Sequence, residues 1–182
     1  MKWNNKFTYP KSSKSNEDGM RKYLFAGEKL PSVTSILQAT KSEEDKAAIE
    51  NWRRRVGYTE SNKIKIAASN RGTHLHSYIE DFLRGRINES FFESNEQYKN
   101  MAKEIIDKGI KGKLEEIYGI ETTLQNHEHK YAGTADLVGV YKGQEAIIDF
   151  KQANKPKKVD YIQDYFLQLG RLAPLIFRGA QV

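Results

Sequence analysis

The chain contains no cysteine, which excludes a disulfide framework and any thiolate metal site. No apolar run approaches the roughly 18 residues that a membrane-spanning helix needs. The opening Met1-Lys2-Trp3-Asn4-Asn5-Lys6 has neither the apolar core of a secretory signal nor the Arg-rich character of a transit peptide. There are no internal repeats. A reducing cytoplasm is therefore the expected address, with no membrane partner.

What is present suits one globular core. The chain has 182 residues, 38% of them hydrophobic and 11% aromatic, and the apolar residues recur in periodic runs that can be buried. The charge is uneven. Thirty Lys and Arg against 24 Asp and Glu give +6, and two segments carry the excess. Residues 52–71 hold Arg53, Arg54, Arg55, Lys63, Lys65 and Arg71 against Glu60 alone. Residues 151–182 hold Lys151, Lys155, Lys157, Lys158, Arg171 and Arg178 against Asp160 and Asp164. Two basic segments on an otherwise mildly acidic chain fit a polyanion-binding face; they equally describe two solvated helix faces.

Residues 1–30 are rich in Lys, Ser and Asn, with Asp18-Gly19 as a turn signal, and read as a polar arm with a short hairpin around Tyr23-Leu24-Phe25. Residues 31–182 read as a single domain. Ser42 before Glu43, Glu44 and Asp45 predicts a helix start, a capping side chain followed by acids at the positive end of the dipole. That helix reaches Val56 and is expected to bury Ala48, Trp52 and Val56. A second, over 61–84, carries the apolar row Ile64, Ala68, Leu75, Ile79, Phe82 and Leu83. A third spans 94–110. Residues 117–124, 131–141 and 145–151 are β-rich, separated by the polar loop 125–130 and the turn Lys142-Gly143. A last helix covers 159–172. Helices, a three-stranded meander and a final helix predict an α+β (mixed α/β) fold.

The sharpest chemical feature is Asp136 followed by Asp149-Phe150-Lys151. Residues two apart on a strand share a face, so Asp149 and Lys151 project together while Phe150 packs on the other side. A hairpin closed at Lys142-Gly143 brings Asp136 near Asp149. Two carboxylates beside a lysine make sense with a divalent cation between the acids, and hard oxygen ligands select Mg²⁺ or Mn²⁺. Taken alone, the same residues also describe an exposed hairpin with an ordinary Asp–Lys pair.

The wider pattern narrows the choice. Gly133-Thr134-Ala135-Asp136 and then Ile147-Ile148-Asp149-Phe150-Lys151 resemble the Asp…(Asp/Glu)-x-Lys core of the PD-(D/E)xK nuclease superfamily. Gly72-Thr73-His74-Leu75-His76 lies within a stretch similar to the Gly-x-x-x-His helix motif of its RecB-like exonuclease branch, and Glu121 matches that branch's extra acid. The run Pro31-Ser32-Val33-Thr34-Ser35-Ile36-Leu37, the Trp52-Arg53-Arg54 helix and Lys155-Pro156-Lys157 are similar to the mitochondrial genome maintenance exonucleases and their phage relatives.

The resemblance implies a restriction-endonuclease-like core and a metal-dependent DNA exonuclease acting on single-stranded ends in replication, recombination or repair. It makes Asp136, Asp149, the carbonyl of Phe150 and His76 metal ligands, with Mg²⁺ or Mn²⁺ as cofactor. Lys151 would orient or deprotonate the attacking water and offset the charge developing on phosphorus, and Glu121 would hold a water at the cation. Helical geometry agrees on the histidine: His76 lies one turn from Gly72 and Glu80, whereas His74 is about 200° away. Arg53, Arg54, Arg55, Arg71, Lys155, Lys157, Lys158 and Gln168 become DNA-binding candidates, and Trp52, Tyr58 and Tyr78 could stack on bases, though Trp52 also fits the core row with Ala48 and Val56.

Two rival readings remain: a nuclease-fold module that binds DNA without cutting, and an endonuclease of the same fold. One departure stands out. Gln168 is present, but Leu172 stands where the family has Tyr four residues on, and Pro174 stops the helix. After about residue 170 the sheet is expected to be truncated. Leu172, Leu175, Ile176 and Phe177 must then find another surface, by self-association or on a second chain that completes the sheet.

Overall fold

The computed structural model describes residues 1–87, 96–153 and 162–177. In chain order the elements are β1 (Lys2–Trp3), β2 (Ser13–Glu17), β3 (Met20–Phe25), β4 (Glu28–Pro31), α1 (Val33–Ala39), α2 (Glu43–Val56), α3 (Tyr58–Leu83), α4 (Gln97–Glu104), β5 (Leu114–Asn126), β6 (Tyr131–Tyr141), β7 (Gln144–Ile148), α5 (Gln163–Leu172) and α6 (Pro174–Phe177). The fold is α+β, as the order of periodic segments predicts, and it is compatible with a nuclease-like core. It forms two compact units, one of Met1–Ala39 with Gly112–Val182, the other of Thr40–Lys111. No helix among the described residues is long and apolar enough to cross a membrane.

In the first unit a four-stranded sheet runs in the order β1-β5-β6-β7. The expected meander β5-β6-β7 is antiparallel, and β1 adds a parallel edge at Lys2↔Glu116 and Trp3↔Ile117. Two residues are too few to show alternation, which is why sequence periodicity does not reveal that strand. A second sheet, β2-β3-β4, enlarges the expected hairpin around Tyr23-Leu24-Phe25 into a meander. Its β2–β3 turn, Asp18-Gly19, and the β6–β7 turn, Lys142-Gly143, both have positive φ at each residue, the two-residue geometry that matches strand twist. Tyr23, Phe25 and Leu30 form a small core with Ala132, and the Tyr23 hydroxyl meets Thr134 Oγ1 at 3.0 Å.

The main core of this unit joins Val33, Tyr118, Leu124, Tyr131, Ala135, Val138 and Leu172. Leu172 is 1% exposed, and a Cβ at Gly133 would stand 2.7 Å from its Cδ2. The absent side chain at 133 on β6 is thus the seat for Leu172, the residue that stands where a tyrosine is expected. Leu175 and Ile176 pack on the same core. The expectation that Leu172, Leu175 and Ile176 need an outside surface is therefore corrected: Pro174 ends α5 as foreseen, and these three lie on the core of their own unit, whereas the Phe177 side chain and residues 178–182 lie outside what the structure describes.

In the second unit Ser42 caps α2 by accepting from the Asp45 N–H at 3.1 Å. No residue of α2 is buried, so the expected burial of Ala48, Trp52 and Val56 is not found. A single apolar line between an acidic first turn and three arginines is narrower than the stripe that anchors a helix. On α3 only Ser61, Leu75, Ile79 and Leu83 are buried; Ile64 and Ile66 are exposed. The third helix runs through α4 into a π-helical turn, Ile105–Ile110, and buries Ala102, Ile106 and Ile110. The predicted starts at 94 and 159 lie outside the described residues.

Two predictions follow from the packing of the first unit. A Cβ at Gly139 would lie 2.1 Å from the backbone carbonyl oxygen of Glu116, which a strand cannot yield. Gly139→Ala should therefore destabilise by about 3 kcal/mol, whereas Gly170→Ala, in α5 with nothing within 4 Å, should stabilise by about 1 kcal/mol; urea midpoints compare them directly.

The Tyr9 hydroxyl is buried with no hydrogen-bond partner among the described residues, and burial pushes its phenol up to about 12. Since the unfolded phenol ionises near 10, this contribution to stability is present below pH 10 and is lost as pH rises towards 12. Tyr9→Phe should raise stability by about 1 kcal/mol and flatten the alkaline limb of melting temperature against pH.

Candidate active site

Ile120↔Leu137 and Thr122↔Ala135 are registered partners of β5 and β6, so Glu121 lies opposite Asp136. Their carboxylate oxygens approach within 4.8 Å. Among the described residues five non-glycines have positive φ: Asp18, Ala26, Lys130 and Lys142 sit in turns, and Glu121 (φ 52) sits inside a strand. A left-handed backbone costs a non-glycine residue about 1 kcal/mol or more. The fold therefore holds a strained acid against a second acid.

Asp136 is tied to the segment after β7. Strand pairing ends at Leu137↔Ile148, so the expected strand over 145–151 stops three residues early. The freed Phe150 N–H turns to donate to Asp136 Oδ2 at 2.7 Å. Phe150 itself is buried at 7%, which matches its expected packing role. Asp149 and Lys151 form an ion pair in which the carboxylate side chain is 6% exposed and the lysine 35%. Gln168 Nε2, from the buried face of α5, donates to Asp149 Oδ1 at 3.2 Å. Lys151 Nζ also stands 5.5 Å from the centroid of the Tyr165 ring.

Asp136, Asp149, Phe150 and Lys151 are thus gathered at one end of the β6–β7 hairpin, with Glu121 facing Asp136. Gln168, a DNA-binding candidate in the sequence, is buried and bonded to Asp149. Tyr165 escapes sequence reasoning; the available signal is its spacing of three residues before Gln168, one turn of the same helix face. The donor chemistry suits a hard divalent cation. Two carboxylates this close repel unless a positive charge intervenes, and oxygen donors are what Mg²⁺ and Mn²⁺ take.

The remaining candidates belong to the second unit or fall outside the described residues. His76 is half-buried on α3, one turn after Gly72. Glu80 is engaged by Arg84 Nε at 2.7 Å, and the exposed His74 has its ring 5.2 Å from that of Tyr98. Arg53 lies over Tyr58 at 5.2 Å, Arg54 pairs with Glu50 at 3.2 Å, Arg55 is exposed and Arg71 half-buried. Lys155, Lys157 and Lys158 lie outside the described residues.

No family model matches the chain. The chain is similar to mitochondrial genome maintenance exonuclease 1 of Mus musculus, 30% identical over 138 residues that cover 70% of this chain and 38% of that protein. It is also similar to the proteins of the same name from Xenopus tropicalis, 29% identical with 75% and 39% covered, and Homo sapiens, 28% identical with 75% and 40% covered. The chain spans about two-fifths of the length of these curated relatives.

The strain at Glu121 yields a stability prediction. Glu121→Gly should relieve both the left-handed backbone and the repulsion from Asp136, raising stability by about 1 kcal/mol; a denaturation midpoint equal to or below that of the wild type would contradict it.

Proposed function

We propose that the chain is a Mg²⁺- or Mn²⁺-dependent deoxyribonuclease of the PD-(D/E)xK type, an exonuclease acting on single-stranded ends. The observation that carries this reading is the opposition of Glu121 and Asp136 beside the Asp149–Lys151 pair. The similarity to proteins named exonucleases supports the same chemistry.

Asp136, Asp149 and the carbonyl of Phe150 would hold the cation, with Glu121, opposite Asp136, holding a water beside it; when bound, such an ion supplies a nucleophile at neutral pH and a counter-charge for the phosphate. The chain's own groups do the rest. The Phe150 N–H fixes one oxygen of Asp136, so that carboxylate keeps its orientation across the sheet. Lys151, as an ammonium, has donors and no acceptor. In that state it orients water and offsets charge on the phosphate oxygens rather than taking a proton. Gln168 holds the Asp149 carboxylate through Oδ1.

His76 keeps the metal-ligand role that the helix motif implies for it. Arg53, Arg54, Arg55 and Arg71, with Lys155, Lys157 and Lys158, neutralise phosphates, which makes DNA binding weaken with salt. Residues 1–30, expected as a preceding arm, instead supply β1 and most of the second sheet to the unit that carries Asp136 and Asp149, and the chain would work in the cytoplasm in replication, recombination or repair. A second chain that completes the sheet would do so at the edge of β7.

The test is degradation of end-labelled single-stranded and duplex DNA with and without Mg²⁺. Digestion should require the cation, and Asp136→Ala and Lys151→Ala should each lower it by about 100-fold or more. Calorimetric Mn²⁺ titration should show a site that disappears in Asp136→Ala. DNA binding without a cation site or digestion would make the chain a binding module. Cutting of covalently closed circles would make it an endonuclease, and full activity in Lys151→Ala would overturn the site.

A further inference from the structure

The face of α5 that meets the sheet carries Tyr165, Gln168 and Leu172, spaced three and four residues apart. Leu172 seats the helix over Gly133, and Gln168 reaches Asp149. One turn earlier the Tyr165 ring lies 5.5 Å from Lys151 Nζ. Lysine is a point charge on a flexible four-carbon stem, and its side chain here is 35% exposed, so its position depends on what attracts the ammonium. One attraction is Asp149. Any positive charge that engages Asp149 weakens that ion pair and releases the lysine towards solvent. The electron-rich face of an aromatic ring attracts a cation without competing for the carboxylate.

We propose that Tyr165 is a positioning residue for Lys151, its ring keeping the ammonium at the site when Asp149 is engaged elsewhere. The proposal rests on the nuclease reading, with Lys151 as the group that acts on the phosphodiester. The ring, and not the hydroxyl, does the holding. Tyr165 and Gln168 thus form a two-residue clamp on one helix turn, each fixing one member of the Asp149–Lys151 pair.

The test compares Tyr165→Leu, Tyr165→Phe and the wild type for Mg²⁺-dependent hydrolysis of labelled single-stranded DNA, with thermal melting of each. Tyr165→Leu should lower kcat about tenfold, equivalent to about 1.4 kcal/mol and within the range of a cation–π contact, and leave KM and the melting temperature nearly unchanged. Tyr165→Phe should restore kcat to within about twofold of the wild type, because the ring face is retained. A second readout needs no activity: after reductive ¹³C-methylation of lysines, the Lys151 methyl resonance, identified by its loss in Lys151→Arg, should be displaced upfield by the ring. That displacement should persist in Tyr165→Phe and vanish in Tyr165→Leu.

An undiminished kcat in Tyr165→Leu, an equal loss in Tyr165→Phe, or a methyl resonance unmoved by Tyr165→Leu would each overturn the proposal. A wild-type chain that hydrolyses no DNA, or a fully active Lys151→Ala, would overturn the nuclease reading and the catalytic part of the proposal with it, while the methyl displacement still decides whether ring and ammonium meet.

Discussion

The register between β5 and β6 is the constraint from which the candidate site follows. A one-residue slip would send alternate side chains to the opposite face and separate Glu121 from Asp136. The register is held by what lies on either side. Gly139 leaves room for the Glu116 carbonyl beside the irregularity between Ile117 and Gly119. At the far end of the pair Asn126 Nδ2 reaches the Tyr131 hydroxyl at 3.3 Å, and that hydroxyl donates to the carbonyl of Arg171 at 3.0 Å. Between these anchors the left-handed Glu121 is a local cost that the surrounding ladder over-determines, the circumstance in which such strain persists.

The hairpin of β6 and β7 then supplies the remaining groups by stopping. Where strand pairing ends after Ile148, the backbone is free to bond a side chain, and the Phe150 N–H takes the Asp136 carboxylate. The alternating order of the next three residues survives outside the strand: Phe150 is buried, while Asp149 and Lys151 come together as a pair. The site is thus built at a strand terminus, where one polar backbone group is available for function and the sheet still supplies rigidity.

Much of this was legible in the sequence because it rests on short-range rules. The two-residue turns, the Ser42 cap and the bounds of β6 are local, and Asp136, Asp149 and Lys151 stand out by spacing. What was not legible depends on surroundings. The burial of α2 failed because an apolar line of three residues says nothing about whether a surface faces it. The β1 strand was hidden by its length. Gln168 and Leu172 were recognised as residues but not for what they touch: the glutamine's partner is an acid 19 residues away, and the leucine's is an absent side chain on β6.

That absent side chain has a consequence for variation. Positions 133 and 172 share one fixed volume, so their sizes must trade against each other: a bulkier group on the strand calls for a smaller one on the helix, and a tyrosine at 172 calls for room that the strand would have to create by moving. Because Gln168 and Tyr165 ride on the same helix, such an exchange also changes how far they reach. Sequence drift at two positions that carry no chemistry would therefore be felt at the acid and the lysine, and the pair should vary together rather than one at a time.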